Sequence, residues 1–199
     1  MSDSYLVGVA GPSSCGKTTL CRTFVERVPN TAYLCIDDFY RDAGQVPRFN
    51  DGTQTYDNWD EPESLHLDDF LRTLKILKRG EGVEVPVYDV FKERRVGSRY
   101  IEPAPHVVVD GFLLYATTEL QQQFDFRVFI DVSEENLRKR RNERNIDYIP
   151  TYLDDVVLPA FKRIGPFMRS SAHHIIDGNQ TPENVLEDFE SLLKTKRIR

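Results

Sequence analysis

The stretch Gly11-Pro-Ser-Ser-Cys-Gly-Lys-Thr18 is the most informative part of the sequence, because it matches the pattern GxxxxGK(S/T). The apolar run Tyr5–Ala10 lies directly before it and predicts a buried strand, while Thr18–Arg27 follows it and predicts a helix. A glycine-rich turn between strand and helix points backbone N–H groups inward, where they bind phosphate together with the helix N-terminus. The alternative is a chance glycine-rich turn, but the flanking strand and helix favour a phosphate-binding loop, called the P-loop below.

Two side chains of the P-loop have chemistry suited to a nucleoside triphosphate. Lys17 can reach the β- and γ-phosphates, and the Thr18 hydroxyl can ligate Mg²⁺. ATP and Mg²⁺ are therefore the expected cofactors. The predicted ATP contacts at this loop and the start of its helix are Gly11, Ser13, Ser14, Cys15, Gly16, Lys17, Thr18 and Thr19.

Short apolar runs alternate with amphipathic stretches along the rest of the chain, which predicts parallel strands joined by helices. The predicted strands of the sheet are Tyr5–Ala10, Ala32–Ile36, His106–Val109, Arg127–Val132 and His173–Asp177, and the predicted helices are Thr18–Arg27, Ser64–Lys78, Ser133–Arg144 and Pro182–Lys194. Val83–Val87 and Ser98–Ile101 predict a small β-hairpin. The expected fold is a three-layer α/β P-loop NTPase of the nucleoside and nucleotide kinase type, with a five-stranded parallel sheet, a lid helix region and a hairpin insertion.

The bulk composition limits the class of partner. The 199 residues fit one domain, with a substrate-side insertion expected at residues 41–105. A formal net charge of −6 argues against nucleic acid as a partner. Three cysteines without a CxxC pair argue against a disulfide framework or a zinc site. No apolar run is long enough to span a membrane and no signal peptide is evident, so we expect a cytoplasmic protein, whose oligomeric state the sequence leaves open.

Two aspartates follow predicted strands near the P-loop. Asp110 ends the run His106–Val109, where a carboxylate can hold magnesium directly or through water, or can instead cap the next loop. Asp37 follows the second predicted strand, whose carboxyl end lies beside the P-loop in such sheets. It can take the proton of an attacking hydroxyl, or it can cap a turn. We favour Asp37 as the catalytic base and Asp110 as a magnesium ligand beside Thr18.

The segment Arg138–Arg144 carries a run of basic residues on a predicted helix. Arg140 and Arg144 are four residues apart, and Arg141 and Arg144 are three apart, so the three side chains can share one helix face. The alternative is a solvated basic face. We favour a lid at residues 138–152 that closes over the triphosphate, excludes water and stabilises the charge of the transferring group.

The chemistry of the P-loop is shared by switches, motors and kinases. The chain has no Asn-Lys-x-Asp tetrapeptide, the usual guanine-reading element of GTPase switches, and it is short for a motor. The position of Asp37 and the basic helix therefore favour a small-molecule kinase that uses ATP rather than GTP.

With these residues assembled, the chain resembles the uridine kinase and nicotinamide riboside kinase group of P-loop nucleoside kinases. No single motif is specific, but their order and spacing are. Beyond the P-loop, the resemblance is carried by Ile36–Arg41, Asn58–Leu65, Val85–Asp89, Val107–Tyr115, the arginine-rich helix and Ile175–Gly178.

The resemblance implies a role for each matching residue. Asp37 is expected to activate the 5′-hydroxyl, Asp60 to bind the ribose hydroxyls, and Trp59 to stack on the base. Lys17 and Arg141 join Asp37 as catalytic residues, and Arg140, Arg144 and Asp177 join the P-loop as ATP contacts. The full set of expected acceptor contacts is Asp37, Tyr40, Trp59, Asp60, Tyr88, Glu93 and Arg141.

The resemblance indicates the base of the nucleoside less clearly than it indicates the roles of these residues. Val85–Asp89 resembles the uridine kinase side of the group, but uridine kinases place a His where this chain has Glu93. Asn58–Glu63, Asp110–Leu114, and Tyr152–Asp154 with Pro159 are more similar to nicotinamide riboside kinases. A carboxylate such as Glu93 near the base would also suit a cationic pyridinium, and Trp59 could add a cation–π contact. We therefore expect nicotinamide riboside as substrate, giving nicotinamide mononucleotide, with uridine or cytidine as the alternative.

Two further possibilities stay open from the sequence. One is a non-catalytic, regulatory nucleotide-binding protein. The other is a kinase for a different metabolite, such as pantothenate or a sugar phosphate, against which the match of Asp60 to a ribose-binding residue argues.

Overall fold

The computed structural model describes residues 3–50, 52–144, 151–196 and 198. The central part of the predicted lid, residues 145–150, lies outside the described residues. The strands are β1 (Tyr5–Ala10), β2 (Thr31–Cys35), β3 (Arg48–Asn50), β4 (Thr55–Asp57), β5 (Val83–Asp89), β6 (Arg94–Ile101), β7 (His106–Gly111), β8 (Phe126–Asp131) and β9 (His174–Asp177). The helices are α1 (Lys17–Arg27), α2 (Leu67–Lys78), α3 (Thr118–Gln121), α4 (Glu134–Arg144), α5 (Leu158–Ser171) and α6 (Pro182–Thr195).

Five parallel strands form the central sheet in the order β2-β7-β1-β8-β9. In its register, Ala10 of β1 lies opposite Gly111 of β7, and Cys35 of β2 lies opposite Asp110. The carboxyl ends of the strands are therefore level at one edge, which is where α/β sheets of this kind bind ligands. This confirms the predicted α/β P-loop kinase fold and its five-stranded parallel sheet.

The sheet is buried on both faces, as the continuous apolar run of β1 requires. Leu6 packs on one face with α2 and the loop after β7, while Val7 and Val9 pack on the other with α1 and α6. Across the second face, Phe24 of α1 and Phe189 of α6 meet edge to face, with ring centroids 5.1 Å apart. This contact ties the helix that follows the P-loop to the last helix of the chain.

The predicted boundaries need correction in three places. Helix α2 begins at Leu67 rather than Ser64, because Pro62–Ser64 forms a separate 3₁₀ turn. The hairpin strands β5 and β6 are longer than predicted, and the segment 41–57 contains the small antiparallel pair β3–β4. Antiparallel pairing lets polar, solvent-facing residues extend a strand beyond its apolar run.

Helix α5 was not predicted at all. Pro159 stands in its first turn, where proline is best tolerated, and Pro166 lies inside the helix. A π-helical turn, Leu153–Val157, runs directly into α5. Among the described residues, no helix combines the length and apolar character that crossing a bilayer requires.

Replacing Phe189 with Ala tests the packing that holds α1 against α6. Phe189 is fully buried, so we expect Phe189→Ala to lower the free energy of unfolding by about 3–5 kcal/mol, measured by urea denaturation. Phe167→Ala removes the same side chain at a position that is 46% exposed, and it should cost far less. Equal losses for the two variants would contradict this account of the core.

Candidate active site

The P-loop has the backbone geometry that its glycines allow. Gly11 has φ +155°, and a Cβ there would lie 2.6 Å from the carbonyl oxygen of Ile130, so only glycine fits beside β8. Gly16 has φ +99° and precedes the first residue of α1. The loop thereby delivers the unpaired N–H groups of the first helical turn to the edge of the sheet, where a phosphate can accept from them.

Lys17 is buried inside the P-loop. Its Nζ donates to the carbonyl oxygen of Pro12 at 2.8 Å and lies 3.7 Å from Cys15 Sγ. These contacts hold the ammonium group close to the N-terminus of α1. The charge of Lys17 and the positive end of the helix dipole therefore act on the same small volume.

Asp110 is almost completely buried and is held by two hydroxyl groups. Thr18 Oγ1 donates to Asp110 Oδ2 at 2.7 Å, and Tyr33 Oη donates to Asp110 Oδ1 at 2.7 Å. The structure thus brings together the two predicted magnesium ligands and adds Tyr33, which sequence reasoning missed.

The donor set at Thr18 and Asp110 fits Mg²⁺ chemically, since both residues offer oxygen. Among the described residues, no group of three or more His, Cys, Asp or Glu side chains could hold a metal by itself. Mg²⁺ bound here would therefore take its other ligands from phosphate oxygens and water, as it usually does in phosphoryl-transfer sites.

Asp37 lies in the 3₁₀ turn Ile36–Phe39 that follows β2. Burial, and after it the Asp110 carboxylate, raise the pKa of Asp37 to about 7, while Lys17 acts in the opposite direction. No donor among the described residues gives a hydrogen bond to this carboxylate. An acid that is half ionised near neutral pH and has open acceptor positions is suited to take a proton from a substrate hydroxyl.

Three arginines of α4 converge on the P-loop. Arg140 donates to the carbonyl oxygen of Cys15 at 3.3 Å, Arg141 to Ser13 Oγ at 2.7 Å, and Arg144 to Ser14 Oγ at 3.3 Å. The three side chains therefore lie on one helix face, as the spacing predicted; Arg141 is buried and Arg140 half-buried, whereas Arg144 is exposed to solvent. Arg138 differs, because it pairs with Glu134 and Asp154 instead.

A cavity of about 410 Å³ adjoins the P-loop between α1 and the first turns of α6. Beyond the P-loop and Arg140, its lining combines apolar side chains such as Leu20 and Leu186 with polar ones such as Arg27, a mixture that suits a nucleotide base and sugar. The side chain of Asp177 is used in a turn, where it accepts from the Asn179 N–H at 2.9 Å, while its neighbour Gly178 lines the cavity. The cavity lining is Ser14, Cys15, Gly16, Thr19, Leu20, Thr23, Arg27, Arg140, Gly178, Gln180, Pro182, Glu183, Val185 and Leu186.

Three aromatic residues predicted to contact the acceptor form one cluster. The ring centroids of Tyr40 and Trp59 are 5.6 Å apart, those of Tyr40 and Tyr88 are 5.7 Å apart, and those of Trp59 and Tyr88 are 6.2 Å apart. Asp60 follows Trp59, is buried, and accepts a hydrogen bond from Tyr152 Oη at 3.2 Å. Tyr152 was part of the motif comparison, but no pattern in the sequence indicated this contact.

The surroundings of Tyr88 are acidic. Burial and the nearby carboxylates of Glu93, Asp42 and Asp57 raise the pKa of the Tyr88 phenol. Glu93 sits in the hairpin turn with φ +49°, and its carbonyl oxygen accepts from the Ala43 N–H at 2.8 Å. Glu93 therefore belongs to the same end of the site as the aromatic cluster.

Comparison with known proteins agrees with this geometry. A model of the Phosphoribulokinase / Uridine kinase family matches residues 6–161. Uridine kinase of Leuconostoc citreum is 32% identical over 147 residues, which cover 71% of this chain and 69% of that protein. Uridine-cytidine kinase B of Dictyostelium discoideum is 26% identical over 217 residues, covering 96% of this chain and 86% of that protein.

A solved structure extends the match to the fold. Phosphoribulokinase from Rhodobacter spheroides superimposes with a TM-score of 0.63 at 13% identity, covering 90% of this chain and 74% of that one. These relatives support the uridine kinase side of the expected resemblance, and they give no support to a closer link with nicotinamide riboside kinases. The chain belongs to the phosphoribulokinase / uridine kinase family, and it is a P-loop kinase, a phosphotransferase whose acceptor is an alcohol group.

Proposed function

We propose that this kinase transfers the γ-phosphate of ATP to the 5′-hydroxyl of a pyrimidine ribonucleoside, uridine or cytidine. The observation that carries the proposal is the Asp37 carboxylate, which has a pKa of about 7, stands near both Asp110 and Asp60, and accepts no hydrogen bond from the part of the chain that the structure describes. The names of the related uridine kinases support the choice of base. This replaces nicotinamide riboside as the leading substrate.

On the donor side, the cavity between α1 and α6 takes the nucleoside part of ATP, and the P-loop takes its phosphates. Thr18 and Asp110 would hold Mg²⁺, which supplies charge neutralisation on the phosphate oxygens when it is bound. Lys17 and Arg141 place fixed positive charge around the same oxygens. Because these groups are already held by Pro12 and Ser13, little reorganisation is needed when charge develops in the transition state.

On the acceptor side, Asp60 accepts hydrogen bonds from the ribose hydroxyls, and Tyr40, Trp59 and Tyr88 bind the base through their rings. This fixes the 5′-hydroxyl near Asp37, which takes its proton as the oxygen attacks the γ-phosphorus in line. Arg141 covers the reacting groups from the side of α4, and its burial supports the exclusion of water from this side.

A second candidate substrate, nicotinamide riboside, is favoured by one specific observation. Glu93, Asp42 and Asp57 surround the aromatic cluster at Tyr88 and would attract a cationic ring. The face of Trp59 could add a cation–π contact. Neutral uracil or cytosine gains nothing from these negative charges.

The two substrates can be separated by measuring ADP release with a nucleoside panel. We expect uridine or cytidine to give the highest kcat/KM, and Glu93→Gln to leave it nearly unchanged, since the base is neutral. If nicotinamide riboside is preferred and Glu93→Gln lowers its kcat/KM selectively, the second candidate is correct. ATP binding with no acceptor-dependent ADP release from any nucleoside would contradict both.

Replacing Asp37 with Asn tests the assignment of the base. We expect kcat to fall by about 10²–10⁴-fold, because proton transfer to a positioned group is lost, while the Kd for ATP stays nearly the same. Because burial raises the pKa of Asp37, the folded state binds a proton on this carboxyl more tightly than the unfolded state does. The stability that Asp37 contributes in its protonated form is therefore lost as the pH rises from about 4 to about 7. Asp37→Asn should therefore melt at a higher temperature than the wild type at pH 8.

Asp38→Asn is the matched control. Its carboxylate accepts from the Tyr88 N–H and pairs with Arg99, so it holds the hairpin to the sheet edge rather than facing the phosphates. The control should lower the melting temperature and reduce kcat much less than Asp37→Asn. A loss of ATP binding in Asp37→Asn would instead identify Asp37 as a metal ligand or a structural residue.

The pH dependence follows from the same carboxylate. The base works only when it is deprotonated, so kcat/KM for the nucleoside should fall about tenfold per pH unit below a pKa near 7 and level off above it. An Asp with an ordinary pKa of about 4 would give a flat profile over this range. Initial rates between pH 5.5 and 9 at saturating ATP distinguish the two outcomes.

A further inference from the structure

Tyr152 lies between the two halves of the site and belongs to neither in the mechanism above. It is buried, and it stands directly before the π-helical turn Leu153–Val157. Its hydroxyl donates to Asp60 Oδ2 at 3.2 Å and accepts from the Trp59 N–H at 2.9 Å. One phenol oxygen thus contacts both the backbone and the side chain of the segment that carries the expected ribose-binding carboxylate.

The geometry of these two bonds restricts the rotation of the Asp60 side chain. A phenol has one proton to donate, and accepting from the Trp59 N–H leaves that proton directed at Asp60. Asp60 is further placed by Asn58, whose side-chain oxygen accepts from the Asp60 N–H at 3.1 Å. These bonds together hold the Asp60 carboxylate in one orientation relative to the acceptor site.

The ring of Tyr152 makes a second connection, toward the phosphates. The Arg141 guanidinium lies over it, 6.0 Å from the ring centroid, and Arg141 donates to Ser13 Oγ in the P-loop. The groups are therefore in continuous contact from Ser13 through Arg141 and Tyr152 to Asp60. All but Ser13 are buried, so these contacts are shielded from water and from salt.

We propose that Tyr152 is a positioning residue that sets the Asp60 carboxylate for the ribose hydroxyls and so determines selection of ribose over deoxyribose. The inference rests on the proposed nucleoside acceptor. A carboxylate held in one rotamer accepts from a ribose hydroxyl without first losing rotational freedom, and it loses that bond entirely with the deoxy analogue. A freely rotating carboxylate would discriminate less between ribose and deoxyribose. With the deoxy analogue it could turn to bind water in place of the missing hydroxyl, at a lower cost in free energy.

The test compares uridine with 2′-deoxyuridine and 3′-deoxyuridine in wild type and Tyr152→Phe. Phe keeps the ring beneath Arg141 and removes only the hydroxyl. Since a hydrogen bond to a charged group is lost, we expect the kcat/KM ratio of uridine over at least one deoxy analogue to fall about tenfold. The change should appear in KM for uridine, while KM for ATP stays within about twofold, because the phosphate side is untouched.

A double-mutant cycle with Asp60→Asn separates positioning from general loss of structure. If Tyr152 acts through Asp60, adding Tyr152→Phe to Asp60→Asn causes no further fall in the ratio. Tyr56→Phe is the matched control: its ring also contacts that of Tyr152, but its hydroxyl donates to Asp155, so the ratio should not change.

The outcomes distinguish this inference from the proposed function. An unchanged ratio in Tyr152→Phe, or effects of the two substitutions that multiply, overturns the role of Tyr152 and leaves the nucleoside kinase standing. Absence of uridine and cytidine turnover in the wild type overturns the proposed function and this inference with it.

Discussion

Parallel pairing of β2, β7 and β1 is the constraint on which the rest of the molecule depends. Because Cys35 lies level with Asp110, and Ala10 with Gly111, three separate chain segments end at the same edge of the sheet. The first turn beyond each strand then has to deliver its polar groups to one place. The bond from Thr18 to Asp110 joins two of these segments across 92 residues of sequence, and the Asp37 turn supplies the third.

The candidate site uses three aspartates in three different environments. Asp110 accepts hydrogen bonds from the hydroxyls of Thr18 and Tyr33, which fix both of its oxygens. Asp60 is contacted by the Tyr152 phenol, which orients it. Asp37 has neither kind of support, and the charge of Asp110 makes its ionisation harder. The same side chain is thereby suited to ligate a cation, to hold a sugar or to accept a proton, according to its neighbours.

Local patterns predicted the P-loop, the five sheet strands and the shared face of Arg140, Arg141 and Arg144, because each depends on residues close in sequence. Contacts between distant residues were not predictable in this way. Tyr33 meets Asp110 across 77 residues and Tyr152 meets Asp60 across 92, and neither tyrosine differs in its local sequence from one that simply packs in the core. Helix α5 was missed because its two prolines suggest a loop, although one of them lies where a helix tolerates it.

Short motifs predicted the base of the acceptor nucleoside less well than any other property. Tyr40, Trp59 and Tyr88 present aromatic faces, and such faces bind any planar ring through its area rather than through its hydrogen-bonding edge. Similar segments around these rings are therefore compatible with either a pyrimidine or a pyridinium. At the proposed acceptor site, discrimination would have to come from polar groups beside the rings, and the carboxylates of Glu93, Asp42 and Asp57 lie near Tyr88. Two of them have other partners, since Asp57 pairs with Arg48 and Asp42 accepts from the Arg95 N–H. Among the described residues the Glu93 carboxylate has no ion pair, so of the three it is the one best suited to act on a base at the proposed acceptor site.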